Sequence, residues 1–186
     1  MGFARFEFQL VLMWRMLDLA PGRVEDALNE IGASRVQMRA AHRRWVSMPY
    51  SRTAPKGMAR YRMVLGPPGE TGPRKFGDLD CSYAWWELPL WPDLRFEVLS
   101  APDGSTWNHW LVRAGDSPVP GLNGVDDLTP WSCVVSDIGE RFEDARHVEG
   151  SAPGHWGVAF TWKDRDYLAR FVHGLIQVVQ EEPEPR

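Results

Sequence analysis

Apolar and polar residues alternate in several short segments of the chain, which is the pattern of a half-buried strand. In the first segment, residues 6–12, Phe6 and Phe8 share one side and Glu7 faces the other. The same interpretation predicts further strands at residues 58–65, 80–88, 94–99, 106–112, 131–135 and 155–162. An Asp103-Gly104 pair lies between two of these segments and indicates a hairpin, because it supplies the positive φ of a tight turn.

Helical spacing of apolar residues predicts helices in other parts of the chain. Residues 24–31 place their apolar side chains on one face and end at Gly32, which is typical of a short amphipathic helix. Residues 34–48 favour a helix capped by Ser34, although a strand beginning at Val36 also fits. Residues 137–147 predict a further short helix.

The end of the chain has the pattern of an amphipathic helix. Thr161 and Asp164 fit a capping box, and a continuous apolar stripe follows them. The stripe consists of Leu168, Phe171, Val172, Leu175, Val178 and Val179. These elements together predict an α+β fold: a mostly antiparallel sheet of six or seven strands, with an early short helix and a C-terminal amphipathic helix packed on it.

The length of 186 residues predicts one domain, which we place at residues 1–180. Residues 181–186 are rich in Glu and Pro and are expected to form a disordered tail. Residues 67–73 predict an exposed turn, and the Gly, Pro and Asp residues of 114–130 predict a long loop.

Cysteine usage and the absence of an uninterrupted apolar segment point to the cytoplasm. Cys81 and Cys133 form neither a disulfide framework nor a metal-binding spacing. Residues 6–19 are apolar but contain Glu7 and Arg15, so they fit neither a signal peptide nor a membrane span. We therefore expect a small bacterial accessory protein with no cofactor, no metal ion and no membrane partner.

Charge is segregated along the chain. Residues 1–75 hold 13 basic and 6 acidic side chains, whereas residues 76–186 hold 8 basic and 19 acidic ones. The arginines that make residues 33–62 a candidate nucleic-acid surface are Arg35, Arg39, Arg43, Arg44, Arg60 and Arg62. They could neutralise phosphates, but a sequence pI near 5.7 argues against dedicated nucleic-acid binding.

Tryptophan is unusually frequent, with ten residues in the chain. Five of them fall on predicted strands or beside them: Trp85, Trp86, Trp91, Trp107 and Trp110. Neighbouring strand residues face opposite sides, and so do residues three apart, so these rings cannot all enter one core. We expect at least two rings on the second face of the sheet, either under a helix or at a binding surface.

Three histidines are candidates for acid–base chemistry: His109, His147 and His155. A pocket bounded by the Trp107–Trp110 segment and the turn at 147–155 would bring them together. The chain contains no GxSxG, P-loop, GxGxxG or HExxH motif. Their absence argues against the hydrolases and nucleotide-dependent enzymes that carry these motifs.

These patterns favour a small intracellular, non-catalytic protein that recognises a protein partner through a Trp-rich, acidic surface, as an immunity or inhibitor protein does. The acidic excess after residue 75 would steer a basic partner. Two alternatives stay open: nucleic-acid binding through residues 33–62, and an enzyme with a histidine and acid site near the 147–155 turn.

Overall fold

A computed structural model describes residues 4–115, 117–142 and 144–182, with the side chain of Phe76 left out. The helices are α1 (Arg5–Met16), α2 (Pro21–Glu30), α3 (Arg35–Ser47), α4 (Gly57–Leu65) and α5 (Val135–Arg141), with single 3-10 turns at Met48–Tyr50 and Val125–Asp127. The strands are β1 (Glu70–Phe76), β2 (Leu79–Leu88), β3 (Trp91–Ser100), β4 (Thr106–Arg113), β5 (Arg146–Glu149), β6 (His155–Trp162), β7 (Arg165–Val172) and β8 (Leu175–Glu181). Residues 183–186 of the predicted tail lie outside the described part, while Glu181 belongs to β8.

The strands form two separate antiparallel sheets, so the predicted single sheet of six or seven strands is wrong. Sheet A has the order β1-β2-β3-β4, and sheet B has the order β5-β6-β7-β8. Each is a simple meander whose neighbouring strands follow one another along the chain. The fold is α+β, with most of its helices before sheet A. No helix among the described residues is long and apolar enough to cross a membrane.

The predicted first strand at residues 6–12 is instead part of helix α1. Side chains on nearly every side of this helix are buried: Phe8, Gln9, Leu10, Val11, Leu12, Met13 and Met16. A helix that is buried almost all round has no clear 3.6-residue pattern, and a seven-residue window of it can imitate strand alternation. Helix α1 packs against α3 and lies in the main hydrophobic core.

The predicted strand at residues 58–65 is helix α4. Its buried residues are Tyr61, Val64 and Leu65, which have the three- and four-residue spacing of one helical face. The predicted helices at 24–31 and 34–48 are confirmed as α2 and α3. Ser34 caps α3 as expected, because its hydroxyl accepts a hydrogen bond from the backbone N–H of Gln37 at 3.3 Å.

The predicted C-terminal helix is wrong, because residues 165–181 form strands β7 and β8 of sheet B. Tight turns with two successive positive φ values precede each strand: Lys163 (50°) with Asp164 (61°), and His173 (49°) with Gly174 (78°). This is the geometry of a two-residue hairpin turn. The apolar stripe therefore belongs to two strands, and residues 161–164 form a turn where a helix cap was predicted.

Three shorter predictions also change. Residues 131–135 form no strand but make one isolated bridge, from Val134 to Leu175. The predicted helix at 137–147 ends at Arg141, and β5 begins at Arg146. The predicted turn at 67–73 gives way to β1 at Glu70. The strands at 80–88, 94–99, 106–112 and 155–162 are confirmed as β2, β3, β4 and β6.

The two sheets meet where the β7–β8 turn touches β4. The backbone N–H of Leu111 donates to the carbonyl of His173 at 2.7 Å, and the N–H of Val135 donates to the carbonyl of Gly174 at 3.2 Å. An ion pair from Arg113 to Asp137, with Nη2 and Oδ2 2.5 Å apart, joins β4 to α5. Beside this junction, residues of β4 and of the segment between β5 and β6 line an open space.

Candidate functional site

An open cleft of about 710 Å³ lies between β4 and the turn that leads from β5 to β6. We call it the inter-sheet cleft. Its lining residues are Leu99, Trp107, Asn108, His109, Trp110, Glu149, Gly150, Ser151, Ala152, Pro153, Gly154, His155 and Trp156. The cleft thus lies between the Trp107–Trp110 segment and the 147–155 turn, as the sequence predicts.

Two of the five predicted binding tryptophans line the inter-sheet cleft. Trp107 is 52% exposed. Trp110 is half-buried. Its ring centroid lies 5.8 Å from that of Trp156, which also lines the cleft. The indole N–H of Trp110 donates to Glu97 Oε1 at 3.1 Å, and Arg74 Nη2 binds the other oxygen of this buried carboxylate at 2.7 Å. Trp110 is therefore held in a fixed position.

The other three predicted tryptophans lie elsewhere. Trp86 and Trp91 are buried in the main core, and the Trp86 indole N–H donates to the carbonyl of Gly66 at 3.0 Å. Trp85 is half-buried, and its ring centroid lies 5.0 Å from the guanidinium of Arg95. Trp86 and Trp91 are therefore structural residues, and the predicted set of binding residues does not form one surface.

The expected second face of the sheet exists in sheet A. Trp85, Glu97 and Trp110 are cross-strand partners, so their side chains share one face. Trp86 is one residue from Trp85 and points to the opposite face, where the helices form the main core. The second face ends at β4, beside the inter-sheet cleft.

The three candidate histidines do not meet at one point. His109 and His155 line the inter-sheet cleft. His147 lines a neighbouring groove of about 540 Å³, together with Val112, Val134 and Trp156. Among the described residues no group of three or more His, Cys, Asp or Glu side chains is arranged to hold a metal ion.

Burial and positive charge keep the cleft imidazoles neutral. Burial, with smaller effects from the guanidinium groups of Arg60 and Arg15, lowers the pKa of His109 to about 4. Burial also lowers the pKa of His155, and Arg15 adds to that effect. At neutral pH both rings are therefore uncharged and can donate or accept a hydrogen bond.

The buried thiol of Cys133 is inert. Burial raises its pKa to about 12, and the nearby carboxylate of Asp137 acts in the same direction. Cys133 packs in the core of sheet B and does not line the inter-sheet cleft. A protonated, buried thiol is a poor nucleophile, so Cys133 is a structural residue.

The predicted basic segment does not form one free surface. Arg35 is paired with Glu25, the guanidinium of Arg39 lies 5.9 Å from the ring centroid of Trp14, and that of Arg60 lies 3.4 Å from the ring centroid of Trp45. Arg44 is exposed and has a contact of its own. Arg43 and Arg62 are exposed and make no ion pair within the part of the chain that the structure describes. Only part of the segment is therefore available to phosphates.

Sequence reasoning missed Trp156 and His173 as residues of this region. Trp156 lines the inter-sheet cleft and both adjoining grooves, and it follows the candidate His155 directly. Its place at the start of a correctly predicted strand could have identified it. His173 falls within the predicted C-terminal helix, but it lies in the β7–β8 turn and is buried.

The sequence matches no family model and no curated protein. A solved structure to which the chain is similar is that of a candidate beta-lactamase inhibitor protein from Streptococcus mutans, with 11% sequence identity and a TM-score of 0.30. The similarity covers 72% of this chain and 86% of that one. So distant a likeness leaves function to be argued from the residues themselves.

Proposed function

We propose that this protein is a non-catalytic binding protein that holds a segment of a protein partner in the inter-sheet cleft. The observation that carries the proposal is the convergence of Trp107 and Trp110 from sheet A with Trp156 from sheet B on one open cleft. Tryptophan contributes a large contact area at low entropic cost, and it is enriched at the centres of protein interfaces.

The position of β4 supports an extended partner segment. β4 is an end strand of sheet A, and it pairs along one side with β3. Its other side meets the β7–β8 turn at Leu111, and residues before Leu111 border the inter-sheet cleft. An extended peptide can lie along such a strand edge, with aromatic pockets selecting its side chains.

The neutral imidazoles favour binding over catalysis. A general base works best with a pKa near the working pH, whereas the pKa of His109 is about 4. A buried neutral imidazole instead offers a hydrogen bond to a partner without a charge to neutralise. The proposed mode of action is that of immunity and inhibitor proteins, which act by occupying a partner. A basic partner, steered by the acidic residues after position 75, stays a prediction.

Affinity capture with matched variants tests the proposal. We expect wild-type protein, immobilised and exposed to lysate of its native cells at low salt, to retain one partner in stoichiometric amount. Trp107→Ala should reduce the retained amount at least tenfold, because truncating an interface anchor commonly costs 2 kcal/mol or more. Tyr50→Ala is the control, since Tyr50 is 89% exposed and belongs to the helical region. Equal capture by both variants and wild type would contradict the proposal.

A further inference from the structure

We propose that the inter-sheet cleft binds a cationic side chain, the guanidinium of an arginine or the ammonium of a lysine, between its tryptophan rings and the carboxylate of Glu149. The inference rests on the proposed function and deepens it, because it names the chemical group of the partner segment that the cleft selects. It concerns one local contact, whereas the acidic excess after residue 75 concerns attraction over a longer distance.

The first observation is the arrangement of the aromatic rings. Trp107 and Trp110 lie on β4, Trp156 lies on β6, and all three line the cleft. The ring centroids of Trp110 and Trp156 are 5.8 Å apart and their planes are inclined at 59°, so these two rings meet at an angle and are not stacked. Aromatic rings set at an angle around a space bind organic cations in many proteins, because the face of each ring is negatively polarised.

The second observation places a carboxylate beside these rings. Glu149 of β5 and Trp156 of β6 are cross-strand partners in sheet B, so their side chains lie on the same face of that sheet. Glu149 is exposed, lines the cleft and makes no ion pair within the described residues. Its negative charge is therefore available to a ligand in the cleft.

The third observation is the charge of the cleft wall. Among the described residues that line the cleft, Glu149 is the single carboxylate and none is Lys or Arg. The imidazoles of His109 and His155 add no charge at neutral pH, because burial lowers the pKa of both. Arg60 and Arg15 influence the pKa of His109, but neither lines the cleft. The lining thus has a net negative charge, which favours a cation.

The fourth observation is that the chain's own arginines lie against its other half-buried tryptophans. Guanidinium groups lie 3.4–5.9 Å from the ring centroids of Trp14, Trp45, Trp85, Trp131 and Trp162. Trp110 and Trp156 are also half-buried, but no Lys or Arg of the described residues lies over either ring. The cleft therefore has ring faces of the kind that hold arginines elsewhere in this protein, and their cation must come from another molecule.

The cleft favours an organic cation over a metal ion. A metal ion needs several ligating side chains, and among the described residues no group of three or more His, Cys, Asp or Glu is arranged to hold one. A lysine or arginine side chain instead needs apolar ring surface for its stem, ring faces for its charge and one carboxylate for its N–H groups. The cleft supplies all three.

The experiment is an NMR titration of the free protein with a capped Gly-Arg-Gly tripeptide, followed through the indole N–H signals. Capped Gly-citrulline-Gly is the matched control ligand, because citrulline has the shape of arginine but no charge. We expect the arginine peptide to bind about tenfold more tightly and to shift the signals of Trp107, Trp110 and Trp156. Capped Gly-Lys-Gly should likewise bind more tightly than its Nε-acetylated form.

A pair of protein variants tests the role of the carboxylate. Glu149→Gln should weaken binding of the arginine peptide about fivefold to tenfold, because it removes the charge and keeps the size of the side chain. Glu140→Gln is the matched control and should leave binding unchanged, since it removes the same charge from an exposed position on α5. Both glutamates are exposed, so both variants should fold.

Equal affinity for the arginine and citrulline peptides, no binding of either at millimolar concentration, or equal weakening by the two glutamate variants would overturn the inference. The titration needs no partner, so its failure is distinct from a failure of the capture experiment. Partner capture without binding of the arginine peptide would support the proposed function and reject the cationic group. Peptide binding without capture would support a cation site and reject the proposed partner segment.

Discussion

Sheets A and B have the same meander topology but different covers. Sheet A packs against helices of the N-terminal half, and the long buried helix α1 lies at the centre of that core. The cover of sheet B consists of the seven-residue helix α5 and the chain around Leu122 and Leu128. A strand pattern alone therefore does not specify which elements pack on the face of a sheet.

The contacts that join the two halves differ in kind from the contacts inside each half. Within each half the core is apolar and aromatic, with ring centroids 4.9 Å apart for Phe8 and Phe96 and 4.3 Å apart for Phe142 and Phe160. The junction adds polar links, including the ion pair from Arg113 to Asp137. Substitutions at this ion pair should therefore affect the contact between the two halves.

At the junction between the two halves, the largest effect is expected from removing the charge of Arg113. Arg113→Met should lower the free energy of unfolding by about 3 kcal/mol, because it leaves the buried carboxylate of Asp137 without its counter-charge. Asp137 Oδ2 also accepts a hydrogen bond from the backbone N–H of Val134 at 2.8 Å, so the helix start would be disturbed. Urea unfolding followed by circular dichroism measures the change.

Arg165→Met provides the control for this prediction. Arg165 and Glu181 form an exposed pair within sheet B, with Nη1 and Oε2 3.3 Å apart. Exposed pairs contribute about 0–1 kcal/mol, so this variant should be nearly neutral. Similar losses in the two variants would show that the junction is no more sensitive than the surface.

A smaller effect is expected from acid. The pKa of His109 is about 4 in the folded protein and near 6.5 in the unfolded chain. Below pH 6.5, His109 binds a proton in the unfolded chain but stays neutral in the folded protein. The free energy of unfolding therefore falls as pH falls towards 4. The charges facing this ring, Arg60 and Arg15, oppose its protonation, and His173 and Tyr61 pack beside it. His109 should contribute a loss of about 2 kcal/mol between pH 7 and pH 4.5.

Unfolding of His109→Gln and His147→Gln at both pH values isolates this contribution. His147 is exposed on β5, so its replacement should leave the pH dependence of wild type intact. The free energy of unfolding of His109→Gln should depend less on pH, because this variant lacks the imidazole whose pKa differs between the folded and unfolded states. Identical slopes in all three proteins would show that other groups cause the acid sensitivity.

Sequence patterns predicted the strands whose turns carry a chemical signature. Asp103 and Gly104 marked the β3–β4 hairpin, and clean alternation marked β6. Helix α1 was missed because burial on nearly all sides removes its amphipathic pattern. The β6–β7 turn was missed because Lys163, which rarely adopts positive φ, gives no sign of the turn conformation it has there.

The inter-sheet cleft was partly predictable from residue type. Trp107, Trp110 and the 147–155 turn were singled out by residue type, and they meet in the structure. The position of His173 was not predictable, because it depends on the β7–β8 hairpin, and a helix was predicted there. The position of one sheet against the other is set by long-range contacts such as Leu111 to His173, which leave no local pattern.

The smallest effect is expected at Trp107. Trp107 is 52% exposed, so Trp107→Ala should change the free energy of unfolding by no more than about 0.5 kcal/mol. Trp86, also on sheet A but 1% exposed, is the matched control, and Trp86→Ala should cost about 3–5 kcal/mol because it leaves a cavity and an unpaired carbonyl at Gly66. Urea unfolding of both variants makes the comparison. A large loss for Trp107→Ala would mean that this ring supports the fold, and its role in binding could then not be separated from stability. A neutral result would separate the loss of partner capture expected for Trp107→Ala from any loss of stability, so that a reduced capture could be assigned to the interface itself.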